Sequence, residues 1–219
     1  TNYISLIAEM KRSSPSGGEL MPDLNPASMA RVYAKAGVAA ISVLTEREFF
    51  QGSTNDIRDA RSAAVIYGVP VLQKDFIFDE YQVYEARAAG ADAVLWSASI
   101  IDSALLRSLL DLINELGMSA LVEVFNESEL ETVVETGSPI IGINNRDLNT
   151  LETSLCVFER LAPLVPENKI LVAESGMKNS DDVRRMINAG ANAVLVGEAL
   201  MRARGSVSQL VREITNTSQ

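Results

Sequence analysis

The stretch AGANAVLV, residues 189–196, occurs in two earlier versions: AGVAAISV from Ala36 and AGADAVLW from Ala89. Each copy closes an amphipathic segment and is itself a short β-prone run. In NPASMARVYAKAG, Asn25 and Pro26 supply an N-cap and first-turn signal. Met29, Val32, Tyr33 and Ala36 recur at helical spacing, and Gly37 ends the helix. NSDDVRRMINAG repeats that plan, with Val183, Met186 and Ile187 ahead of Gly190. The three copies start 53 and 100 residues apart, close to two and four units of roughly 25 residues, the length of one strand, one helix and their loops.

Filling in the intervening units yields eight strands: SLIAEMK, AISVLTE, PVLQKDF, AVLWSAS, SALVEVF, IIGINNR, ILVAESG and AVLVGEA. Helical segments such as DEYQVYEARAAG, SALLRSLLDLINELG and ESELETVVETG separate them. Continuous apolar strands alternating with amphipathic helices indicate a parallel sheet covered by helices. Eight units predict an α/β fold, a (β/α)8 TIM barrel with a single parallel eight-stranded barrel. A doubly wound open sheet is the alternative, but no G-x-G-x-x-G follows the first strand. No Pro/Gly/Ser-rich linker divides the chain, so residues 1–219 are expected to form one domain.

Composition narrows the chemistry. The chain has 219 residues, 47% of them hydrophobic, and a net charge of −10 with no basic tract. That balance argues against general binding to nucleic acid or an anionic membrane. No apolar run approaches the roughly 20 residues of a membrane span, and the segment before Glu9 is too short for a secretory signal. Cys156 is the only cysteine, which suits a reducing cytoplasm. Histidine is absent altogether, which excludes a Ser-His-Asp triad, a Cys-His pair and most zinc sites. Proton transfer near neutral pH then falls to Lys, Glu, Asp, Tyr or water.

In such a barrel the reacting groups come from the C-terminal ends of the strands. Those ends carry Glu9 and Lys11, Lys74 and Asp75, Glu123, Asn144 and Arg146, Glu174 and Ser175, and Glu198. Strand alternation puts Glu9 and Lys11 on one face about 7 Å apart, and Asn144 and Arg146 likewise. If these face the axis, they meet Lys74, Glu123 and Glu174 at one mouth and perturb one another's pKa values. The turns SSPSGG, SGM at Ser175–Met177 and GEA at Gly197–Ala199 let backbone N–H groups approach an anion, and phosphate is the expected one. Glu198 would repel a phosphate there unless it points away. In REFFQGS, residues 47–53, two adjacent aromatics either pack the rim or stack on an aromatic substrate.

At these residues the chain closely resembles the indole-3-glycerol-phosphate synthases of tryptophan biosynthesis. The resemblance rests on AEMKRSSPSG, SVLTEREFFQGS, LQKDFIFDEYQVYEARAAGADAVL, LVEVFNESEL, IGINNRDL, VAESGM and AVLVGEALMR, in the family's order and approximate spacing. It implies a carboxy-lyase that closes a ring with loss of CO2 and water, using neither cofactor nor metal. Its substrate would be a small phosphosugar–anthranilate, 1-(2-carboxyphenylamino)-1-deoxyribulose 5-phosphate. By the same resemblance, Lys74 is the general acid and Glu123 the later acid/base, while Lys11, held by Glu9, binds the substrate carboxylate. Asn144 and Glu174 orient hydroxyls and reacting groups, and Arg146 supports the carboxylate side. Ser14, Ser175, Gly176 and Gly197 grip phosphate, and Phe50 and Phe76 line the anthranilate pocket. A cytoplasmic monomer is expected.

Three departures from the family pattern stand out. The family usually has a segment of a few dozen residues, including a helix over the barrel mouth, and this sequence begins after it. Glu198 replaces a small residue near the phosphate, and Trp96 enters a commonly aliphatic segment, where it would narrow the pocket. Two other readings stay open: another phosphosugar barrel (an isomerase, or a Schiff-base aldolase using Lys74 or Lys11), or a truncated or engineered barrel with little activity.

Overall fold

The computed structural model describes residues 4–217. Eight barrel strands alternate with helices: β1 Ser5–Met10, β2 Ala40–Leu44, β3 Val71–Lys74, β4 Ala93–Ser97, β5 Ser119–Val124, β6 Ile140–Asn144, β7 Ile170–Glu174 and β8 Ala193–Val196, with a small antiparallel pair, Ser13–Ser14 and Gly18–Glu19, in the loop after β1. Each pairs in parallel with its sequence neighbours, and β8 pairs with β1, closing the barrel. The helices are α1 Pro26–Ala36, α2 Thr54–Ala64, α3 Glu80–Ala89, α4 Ser103–Glu115, α5 Glu127–Glu135, α6 Cys156–Leu161, α7 Ser180–Asn188, α8 Glu198–Ala203 and α9 Val207–Thr215. The (β/α)8 expectation holds. Among the described residues no helix is long and apolar enough to cross a membrane.

The repeated octapeptide does the same work in all three places. Its glycine stands just past a helix end with positive φ, 94° at Gly37, 99° at Gly90 and 105° at Gly190, a backbone state that side-chain-bearing residues resist. The following N–H reaches back to the helix carbonyl five residues earlier, from Val38 to Tyr33, Ala91 to Ala86 and Ala191 to Met186. The next residue then enters the sheet, its N–H bonding Leu6, Val71 or Leu171 of the preceding or neighbouring strand. In two copies that residue is Asp92 or Asn192. Their side chains accept the N–H of Val71 at 2.9 Å and of Leu171 at 2.7 Å. The motif is a helix stop, a turn and a strand register in eight residues.

N-caps come from the residue types that favour them: Asn25 accepts from Ser28, Asp102 from Ala104 and Leu105, and Asn179 from Asp181 and Asp182. Asp79 and Gln82 form a reciprocal capping box on α3. The core then divides by strand parity. Outward residues such as Ile41, Val94, Trp96, Ile141 and Val194 pack with the helices. Inward ones (Leu72, Leu95, Leu121, Val172, Ala193 and Leu195) fill the barrel axis. Toward the C-terminal ends of the strands the inward positions turn polar, at Glu9, Lys74, Ser97, Glu123, Asn144 and Glu174. An apolar plug with charges above it floors a cavity rather than a pore.

Candidate active site

Glu9 faces the axis near the end of β1, buried to 2% exposure, and Lys11 folds back to form an ion pair with it. The Tyr33 hydroxyl on α1 donates to the Glu9 carbonyl at 2.9 Å, bracing the strand end from outside. Burial, with the Glu9 charge added, pushes the Tyr33 phenol well above its ordinary pKa, so it stays a donor. Two glycines make room for the glutamates. A Cβ on Gly197 would overlap the Glu9 carboxylate, and one on Gly142 would overlap that of Glu174. Gly197, just past β8, and Gly142 on β6 thus leave the space that the carboxylates from β1 and β7 occupy.

Lys74, the last residue of β3, crosses the mouth. Its Nζ lies 3.1 Å from Glu123 Oε2 and 3.7 Å from Glu174 Oε2. Burial alone would lower the lysine pKa, but the charges of Glu123, Glu174 and Glu9 outweigh it and raise it, so the ammonium persists. Burial drives the Glu174 carboxyl well above the ordinary carboxylate range, with Lys74 opposing and Glu123 reinforcing that shift. Glu174 Oε1 is buried without a hydrogen-bond partner. Carboxylates and an ammonium of unequal proton affinity, at a partly dry floor, are the ingredients of acid–base chemistry.

The cavity above them measures about 1470 Å³. The residues singled out in the sequence all line it: Glu9, Lys11, Lys74, Glu123, Asn144, Glu174, Arg146, Ser14, Ser175, Gly176, Gly197, Phe50 and Phe76. The Asn144 side chain accepts the Arg146 N–H at 3.0 Å and so shapes the end of β6. Arg146 sends its guanidinium toward Glu198, 3.7 Å away at the β8 turn. Ser175 and Gly176 both have positive φ, 62° and 86°, and form a tight turn beside it. Ser14 Oγ accepts the Gly17 N–H at 3.0 Å, holding the β1 loop closed.

Trp96 does not narrow this cavity. It is wholly buried in the helix-facing core, whereas its neighbours Leu95 and Ser97 line the pocket. The parity of β4 points the indole away from the axis.

Some contributors went unrecognised in the sequence. Glu46 accepts the N–H groups of Glu48, Phe49 and Phe50 at 2.8, 2.7 and 3.1 Å, tying the aromatic loop into a ring. Asn145, fully buried, donates to the Ser175 carbonyl and accepts from the Phe158 N–H, bracing the β7 turn against α6. Arg202 bonds both Glu198 and the Gly17 carbonyl. Only the last had a local sign, the four-residue spacing from Glu198 on one helix.

The eight-stranded barrel, with a lysine held among glutamates at its C-terminal mouth, belongs to the class of barrel enzymes. The chain belongs to the family described as indole-3-glycerol phosphate synthase, whose profile matches residues 1–214. An indole-3-glycerol phosphate synthase of Dehalococcoides mccartyi is 48% identical over 197 residues, 90% of this chain and 76% of that one. One from a Nocardioides species is 51% identical over 211 residues, 96% of this chain and 80% of that one. Among solved structures, thiamine phosphate pyrophosphorylase from Pyrococcus furiosus superposes with a TM-score of 0.73 at 16% identity, covering 97% of this chain and 94% of that one. That likeness concerns the fold alone.

Proposed function

We propose that this chain converts 1-(2-carboxyphenylamino)-1-deoxyribulose 5-phosphate to indole-3-glycerol phosphate, releasing CO2 and water. The observation that carries the reading is Lys74, kept cationic between Glu123 and Glu174 on the cavity floor. Family membership supports it.

In the proposed sequence the Lys74 ammonium donates a proton to the sugar carbonyl oxygen as the aromatic ring carbon attacks the carbonyl carbon. The new carbon–carbon bond closes the five-membered ring, and loss of CO2 returns the electron pair of the breaking carboxylate bond to the ring. Glu123 then serves as acid/base for departure of the hydroxyl as water and removal of the last proton. Lys11, anchored by Glu9, neutralises the departing carboxylate; the turn of Arg146 toward Glu198, beside Gly197, supports a phosphate-side role for it in place of the carboxylate-side role the resemblance implies. Asn144 and Glu174 hold the hydroxyls and Lys74 in line. Ser14, Ser175, Gly176 and Gly197 receive the phosphate, and Phe50 and Phe76 face the anthranilate ring.

The same electrostatics favour this reading over a Schiff-base aldolase. An amine must lose its proton to attack a carbonyl, and the carboxylates around Lys74 oppose that loss. We further propose that residues 1–219 form one barrel domain that acts as a cytoplasmic monomer.

Adding the substrate and following indole fluorescence tests the reaction. A rise is expected; a folded protein that gives none at high concentration refutes the assignment. Borohydride with substrate present should trap no lysine adduct.

A further inference from the structure

Glu198 stands where a substrate phosphate would find a negative charge, yet three cations surround it. Arg202 Nε bonds its Oε1 at 2.9 Å, Arg146 lies 3.7 Å from its Oε2, and Lys11 contributes charge from the loop just past β1. Burial disfavours the carboxylate, but the Arg202 hydrogen bond and the charges of Arg202, Arg146 and Lys11 prevail and hold its pKa below the ordinary value. Arg202 also donates to the Gly17 carbonyl at 3.2 Å, so the helix after β8 is tied to the loop after β1. Arg146 is held loosely. Its Nε is buried and has no hydrogen-bond partner, and its one ion pair is long. All four groups line the cavity beside the Ser175–Gly176 and Gly197 turns.

We propose that Glu198 is a resident counter-anion of the anion-binding end of the cavity, lending its charge to Arg146 until a substrate phosphate replaces it, while Arg202 keeps the displaced carboxylate aside. Glu198 and Arg202 are thus positioning residues that set how strongly a phosphate is held. This rests on the synthase reading for the identity of the ligand, although the charge arrangement applies to any phosphate monoester. Two consequences have opposite signs. Without its charge, Glu198 no longer competes for Arg146, and phosphate binds more tightly. Without Arg202, the carboxylate closes on Arg146, and phosphate binds more weakly.

The test is a double-mutant cycle with Glu198→Gln, Arg202→Gln and both together, with inorganic phosphate affinity read by calorimetry and turnover by indole fluorescence. E198Q should tighten phosphate about two- to fivefold, the range of a partly exposed ion pair. R202Q should weaken it by a similar factor, and the double variant should match E198Q. Under turnover the changes should appear in KM more than in kcat, which a merely structural role would not produce. Weaker phosphate binding in E198Q, or an R202Q effect that persists in the double variant, overturns the proposal. A protein that forms product but shows a flat phosphate cycle overturns the counter-anion alone. The predicted cycle in a protein that forms no product refutes the synthase reading instead.

Discussion

Gly142 on β6 and Glu174 on β7 occupy one space: a Cβ on the glycine would overlap the Glu174 carboxylate. Glu174 in turn stands 3.7 Å from Lys74. Gly142→Ala should force Glu174 off its position. Activity should fall about 100-fold, the cost of a misplacement near 1 Å, and stability by about 1–3 kcal/mol for overpacking. Near-wild-type turnover in a folded G142A would show that Glu174 has room to move without consequence.

Lys74→Gln removes the cation that Glu123 and Glu174 share. Turnover should drop by roughly 10²–10⁴, the contribution of a positioned proton donor, while phosphate affinity changes little, since Lys74 is outside the Arg146–Glu198–Arg202 cluster. Steady-state rates with phosphate calorimetry on the same variant separate the two effects.

Burial of Glu174 beside Lys74 makes stability pH-dependent, with a defined sign. Burial raises the Glu174 pKa above its ordinary 4.5, so over the interval above that value the folded protein binds more protons than the unfolded chain. Stability contributed by this group is full at low pH and falls as pH rises through the interval. Lys74 is raised too, from 10.5; its contribution is intact at neutral pH and is lost only at alkaline pH. Glu174→Gln should therefore flatten the decline in Tm as pH rises above 4.5. An unchanged slope would place the raised carboxyl elsewhere.

The Phe49–Phe50 loop hangs on one carboxylate. Glu46→Ala releases three backbone N–H groups at once, and ordering the loop then falls to the substrate. KM should rise roughly three- to tenfold with kcat less affected, and Glu46→Gln, which keeps an acceptor, should recover part of the loss. Equal effects on KM from both variants would argue against backbone anchoring.

The fold was legible because its signals are local. A helix stop at Gly37, Gly90 or Gly190 depends on residues within one turn of it, and so does each N-cap. Parity was harder to read. In AVLWS both strand faces are apolar, one toward the axis and one toward the helices, so hydrophobicity alone leaves the phase of Trp96 undetermined. Pairing of Ser97 with Glu123 across β4 and β5 settles it.

For the site, the residue types and strand ends named in the sequence all line the cavity; their chemical roles await the measurements above. Helper residues escaped because their work is done through space. Glu46 acts on its own backbone loop and Asn145 on a turn 30 residues away, and neither leaves a periodic trace.

By itself the sequence determined the order and number of barrel units, the five helical segments it marks around Tyr33, Val83, Leu109, Val133 and Met186, and which charged residues end the strands. These depend on backbone conformation and capping within a few residues. Only the tertiary structure decided which charges meet: Lys74 with Glu123, 49 residues apart, Gly142 yielding to Glu174, and Glu198 within 3.7 Å of Arg146. Barrel closure and register set those encounters, and burial gives them their strength, because charge interactions and desolvation both grow as water is excluded.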